Sequence, residues 1–244
     1  MSWFPLWWLV SWFTGSPVTA LVVLFVLWWA SDRFTFRVLP DPTRWFARWR
    51  RMGQLRHVLS VNPHDRRARF ELAERLLEGG RPRDAAEVLR PNVEAGDEDV
   101  HTAFVMGAAL GRSGAYEPAE RALALVRQAD PRFRAGELDL ELGRQRLARR
   151  DFAGAREALD RLLEQRPGSV EGRWLLARAR AGLGDAAGAA AAREEAWRDY
   201  RSLPRFHRRQ ERAFAWRAKP WRPALTALAI VAALILFSGW VCGP

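Results

Sequence analysis

One cysteine, Cys242, occurs in 244 residues. It excludes an intrachain disulfide and any cysteine-based zinc cluster. The four histidines, His57, His64, His101 and His207, have no histidine or cysteine three or four residues away, and neither HExxH nor CxxC occurs. No metal site is expected. There is no glycine-rich phosphate loop either: Gly79-Gly80 falls between helical runs and reads as a turn. Paired acids such as Glu194-Glu195 are most simply solvated faces, and Asp97-Glu98-Asp99 suits a helix start, where acids favour the N-terminal dipole. No serine is read as paired with a catalytic base, and neither catalysis nor a cofactor is expected. Lysine is nearly missing as well. Lys219 is the one lysine among 39 basic residues, which with abundant Ala, Gly and Pro points to a GC-rich, bacterial coding sequence.

Charge is missing from both ends. Residues 1–31 and 223–244 carry no charged side chain, whereas residues 32–60 carry a net +5, residues 61–200 a net −1 and residues 201–222 a net +7. The middle of the chain is thus nearly neutral, and the basic excess lies in two collars beside two apolar ends. That distribution argues against nucleic acid as the partner, despite a pI of 11.3. It argues for membrane ends obeying the positive-inside rule and for contact with anionic lipid headgroups. The collars comprise Arg44, Arg48, Arg50 and Arg51 on one side, and Arg205, Arg208, Arg209, Arg212, Arg217, Lys219 and Arg222 on the other.

Residues 3–13 hold four tryptophans, and Thr14-Gly15-Ser16-Pro17 breaks the run. The reading is a Trp-rich interfacial segment over 1–15, with a re-entrant hairpin as the alternative, followed by a transmembrane helix over 16–36. Indole rings favour the interface, and neither a basic leader region nor a small-x-small cleavage site suggests a cleaved signal peptide. A basic helix over 37–63 caps the next region or lies on anionic lipid; Trp45, Trp49, Met52, Leu55 and Leu59 form its stripe. Residues 202–222 form a basic closing helix. Residues 223–242 are the second transmembrane helix, whose uncharged eighteen-residue core, Ala224 to Val241, would span ~27 Å against a ~30 Å hydrocarbon layer.

The middle, residues 64–201, is organised by small residues at a fixed period. Ala85, Ala119, Ala155 and Ala189 are spaced 34, 36 and 34 apart. Twelve residues before each stands another small residue: Ala73, Gly107, Gly143 and Ala177. Four residues after the first three comes a leucine, Leu89, Leu123 or Leu159. Small residues let paired helices approach, leucines fill the seam, and a pair that cannot bury its apolar face alone must stack on the next. In the fourth unit Arg193 stands where leucine is expected and Arg180 where a large apolar residue is usual. That unit should pack loosely and rest on the segment C-terminal to it.

This pattern resembles the tetratricopeptide repeat family over roughly 135 of the 244 residues. The resemblance implies an all-α solenoid of about four helix-turn-helix repeats, here with an N-terminal and a C-terminal transmembrane helix. It further implies that the first helix of each pair lines a concave face. Projected onto this chain, that face carries Phe70, Phe104, Leu140 and Trp174, flanked by Glu74, Arg144 and Arg178 one turn on and by Arg67, His101, Glu137 and Glu171 one turn back. The apolar stripe is either ligand groove or core, since one residue of register separates the two. The Lys and Asn residues with which the carboxylate-clamp subfamily grips chaperone tails are missing at these places. The expected function is a membrane-anchored scaffold that binds protein partners through the groove. Its repeats would face the cytoplasm and both termini would lie outside a bacterial inner membrane. Alternatives are an accessory subunit bound through its Trp-rich spans, and a regulator of a membrane enzyme that senses anionic lipid.

Overall fold

Five side chains set where the repeat helices begin. Asp65, Asp99, Asp151, Ser169 and Asp185 each accept a hydrogen bond from the backbone N–H three residues on, at 2.8–3.2 Å. Each bond satisfies an N–H that the first helical turn leaves without a partner. The computed structural model describes residues 42–221 except Glu98, Arg132 and Ala135, and beyond them residues 224, 225 and 228. The expected interfacial segment 1–15 and span 16–36 lie outside the described residues, as does nearly all of span 223–242. Among the described residues no helix is long and apolar enough to cross a membrane.

The chain divides into two units, Met1–His57 and Val58–Pro244. Helix α1, Pro42–Val61, belongs mostly to the first. It contains no acidic residue, and Phe46 and Trp49 are exposed along it. The second unit holds nine further helices among the described residues: α2 Arg66–Glu78, α3 Pro82–Glu94, α4 Val100–Ser113, α5 Tyr116–Ala129, α6 Glu137–Ala148, α7 Phe152–Gln165, α8 Val170–Gly182, α9 Ala186–Ser202 and α10 Arg205–Ala218.

Helices α2 to α9 pack as four consecutive pairs, and the first helices α2, α4, α6 and α8 touch in succession along the stack. The small residues at the period lie at the crossings: Ala73, Ala85, Ala119, Ala155 and Ala177 are fully buried. So are Leu89, Leu123 and Leu159, each stabilising the fold by about 2 kcal/mol through burial. The glycines are needed for close approach. A Cβ on Gly107 would stand 2.8 Å from Leu123, and one on Gly143 2.7 Å from Leu159.

The fourth pair solves its packing differently. Arg193 is exposed, and the seam is lined by Ala189, Ala192 and Ala196. Arg180 turns to the loop and donates from Nη1 to the Gly188 carbonyl at 3.3 Å, as Arg146 does to Gly154 at 3.0 Å in the pair before. Helix α10 then covers both α8 and α9, burying Ala215 and Ala218 with Val170 and Ala196. The unit rests on the segment after it as expected, but its seam is closed and not loose: Ala189, Ala192 and Ala196 are buried because small side chains let the two helices approach.

Candidate functional site: the face of the first helices

A cavity of about 340 Å³ lies along the first helices of the first three pairs. Of the residues projected onto the concave face, it brings together Glu74, Phe104, Glu137, Leu140 and Arg144, and it adds Leu77, Glu78, Val105, Arg112, Arg134, Glu141 and Arg166. Phe104 is buried at 8% exposure, so within one stripe the core and the cavity wall are the same residue. Phe70 is half-buried, while Arg67 and His101 are exposed.

The two projected residues of the fourth pair that lie nearest α10 are tied to it. Trp174 packs on Phe214 of α10 with ring centroids 5.7 Å apart, and it joins the buried clusters on both sides. The guanidinium of Arg178 lies 5.2 Å from its ring centre and that of Arg217 lies 5.5 Å away. The backbone N–H of Glu171 donates to the Glu211 carboxylate at 3.2 Å. Burial and then the charge of Glu171 raise the Glu211 carboxyl above its ordinary value, and the backbone hydrogen bond opposes them without prevailing.

A chain of charges runs from pair to pair. Arg112 on α4 donates to Glu141 on α6 from Nε at 3.1 Å and from Nη2 at 2.8 Å. Arg144 donates to Glu141 at 3.0 Å and reaches on to Glu171 on α8 at 2.9 and 2.5 Å. Burial lowers the Arg144 pKa, but the nearby carboxylates of Glu171 and Glu141 outweigh it and the net direction is upward. Glu141 is not among the residues projected from the sequence. The available signal is its register: it occupies the place held by Val105 and Leu175, both buried, so a carboxylate there requires cationic partners.

Phe133 and Arg134 are also absent from the projection. They lie in the connection between α5 and α6, where the period lengthens from 34 to 36. Phe133 is buried, its ring edge-on to His101 at 4.8 Å and tilted against Phe104 at 5.6 Å. Further polar ties join neighbouring helices, within a pair or from one pair to the next, at a single register position of the first helices. Arg69 donates to the fully buried Asn92 at 3.1 Å, Asp139 accepts from Arg127 at 2.6 Å and Arg161 at 3.1 Å, and Arg173 meets Glu195 and Asp199.

The basic collars are only partly described. Arg48, Arg50, Arg51 and Arg209 are exposed. Arg208 folds back to the carbonyls of Arg201, in the last turn of α9, at 2.5 Å and of Leu203, just after it, at 2.8 Å. Arg212 stacks over Trp216 at 5.7 Å, and Lys219 pairs with Glu194. Nothing is described for the side chains of Arg44, Arg205 and Arg222.

No family model matches the chain, and no curated protein matches it. Solved structures do. The chain is similar to MamA of AMB-1, with 21% identity, a TM-score of 0.54, and coverage of 64% of this chain and 94% of that one. It is similar to MamA of MSR-1 at 20% identity and a TM-score of 0.53, covering 62% and 87%. A thermophilic TPR protein of Thermus thermophilus matches at 21% identity and a TM-score of 0.46, covering 79% and 95%. The helical pairs at a 34-residue period, with small residues at each crossing, decide the architecture. The fold is that of the tetratricopeptide repeat. The first helices touch in succession, and their shared face is open at the cavity over the first three repeats, where Phe133 and Arg134 lie on it, and is covered by α10 at the fourth.

Proposed function

We propose that the protein is a tetratricopeptide repeat scaffold which holds segments of other proteins against the face of its first helices, and which its apolar ends tie to a membrane. The observation that carries the scaffold reading is the cavity lined by three consecutive repeats, with Leu77, Phe104 and Leu140 between acids and arginines. Such a surface offers apolar burial with polar selection at its edges. The membrane reading rests on the uncharged ends and the basic collars beside them. It sets the repeats on the cytoplasmic side of a bacterial inner membrane, with anionic lipid at the collars.

Site-specific cross-linking of the full chain in native membranes tests the scaffold. A photoreactive residue at Leu140 should capture partner protein, and one at Leu125, 61% exposed on the second helix of its pair, should not. Equal capture from both positions removes the assignment of the face. Topology has its own readout. In intact cells Cys242 should react with an impermeant thiol reagent and residues 32–222 should resist added protease; the opposite pattern puts the repeats outside.

A further inference from the structure

The best-defined occupant of the open face belongs to this chain. Phe133 fills the apolar part, against His101 and Phe104. Arg134 lays its guanidinium 5.4 Å from the Phe104 ring centre. Its nitrogens reach Glu74 on the first repeat at 3.6 Å and Glu137 on the third at 3.4 Å. A phenylalanine and the arginine after it thus span three repeats, as a bound segment would.

The electrostatics of the lining favour this choice. Arg112 and Arg144 are engaged with Glu141 and Glu171, and Arg166 packs beside Gly136. Around Leu77 and Leu140 the lining then carries the acids Glu74, Glu78 and Glu137 against the single cation Arg166, an acidic excess before Arg134 is counted. An aromatic ring with a guanidinium matches that surface, the cation being attracted both by the carboxylates and by the face of Phe104. The internal occupant is also imperfectly held. Arg134 has φ +41°, in the left-handed region that disfavours residues with a Cβ. Its two ion pairs are longer than the 2.8 Å pair that Arg112 makes with Glu141.

We propose that this face binds a partner segment carrying an aromatic residue followed by arginine, and that Phe133 and Arg134 are an internal stand-in which such a segment displaces. This rests on the scaffold reading above and adds the chemistry of the partner. An intramolecular competitor lowers apparent affinity by the fraction of time the face is free, so removing it should expose the site.

The probe is a labelled peptide, Pro-Arg-Phe-Arg-Ala-Gly, the sequence of residues 131–136, added to the full chain in detergent. The variant F133A/R134G should bind it about tenfold or more tighter than the wild type, and a peptide with Ala and Glu in place of Phe and the following Arg should not bind. Adding E74Q and E137Q to that variant should abolish the gain. The proposal is overturned if F133A/R134G melts cooperatively yet does not distinguish the two peptides. If that variant fails to fold, R134G alone is decisive, because it relieves the positive φ and leaves Phe133 in place: unchanged peptide affinity rejects the stand-in. Failure of the scaffold reading looks different. Cross-links from Leu140 that persist in excess peptide leave the scaffold standing and remove only the aromatic–arginine partner. Peptide binding without any Leu140 cross-link removes the scaffold and keeps the site.

Discussion

Arg112 and Glu141 stand on the first helices of consecutive repeats and meet through two parallel hydrogen bonds, with the Glu141 side chain only 2% exposed and that of Arg112 39% exposed. The asymmetry decides what each substitution costs. Removing Glu141 leaves two arginines that can turn toward water. Removing both Arg112 and Arg144 leaves a carboxylate buried without a cation. The double variant R112A/R144A should lose about 3–5 kcal/mol, and E141Q only about 1–2 kcal/mol. Denaturant titration of the full chain in detergent measures both, and a larger loss in E141Q would show that the glutamate's charge, not its desolvation, governs the junction.

The glycines at the crossings should resist alanine. In an open helix Gly→Ala gains about 1 kcal/mol, but at Gly107 and Gly143 the added Cβ meets Leu123 and Leu159 inside 3.0 Å, and overpacking costs about 1–3 kcal/mol. G107A and G143A should therefore be destabilising or neutral. Gly53 in α1 has nothing within 4 Å of an added Cβ, so G53A should stabilise its helix. Thermal melts of the three variants check the order; a clear gain at Gly107 would contradict the close approach.

Trp174 should behave as part of the α10 contact. It is half-buried against Phe214, so W174A should cost about 3 kcal/mol, the low end for a large aromatic. A double-mutant cycle with F214A should give a coupling of about 0.5–1.5 kcal/mol. Additive losses would mean that the two rings do not stabilise each other.

Glu211 should make the stability of the α10 contact depend on pH. Its folded pKa is raised by burial and by Glu171, so the folded state binds more protons than the unfolded state between the two pKa values. Its contribution is fully present below the ordinary carboxylate range and is lost as pH rises through the raised value. E211Q cannot ionise and keeps an acceptor for the Glu171 N–H. Its stability relative to wild type should grow as pH rises through that window and then level off. A constant difference across the titration would show that the carboxyl is not perturbed by its surroundings.

Much of the repeat architecture is legible in the sequence because it depends on local pattern. Ala85, Ala119, Ala155 and Ala189, with their partners twelve residues before, need only a period and the rule that crossings demand small side chains. The face is less legible. Phe104 belongs to the buried set and to the cavity wall, and no periodicity separates those roles. Phe133 sits in a connection, where helical period carries no information. Trp174 projects beside Phe70, Phe104 and Leu140, but in the structure it lies against α10, since the fourth pair presents alanines at its seam and leaves an apolar edge that the next helix covers.

The sequence by itself determined the helical pairs, the helix start at Asp97-Glu98-Asp99, and the separation of a neutral repeat region from basic collars. These follow from side-chain size, capping chemistry and charge, which act over a few residues. Only the tertiary structure decided that Glu141 meets Arg112, that Arg144 reaches Glu171, that Phe133 and Arg134 occupy the face, and that Glu211 meets the Glu171 backbone. Those contacts join residues 27 to 40 positions apart or sit in the connection where the repeat gains two residues. Their geometry depends on how far each repeat rotates on its neighbour, a quantity set by the sum of all the packed crossings and by no single stretch of the chain.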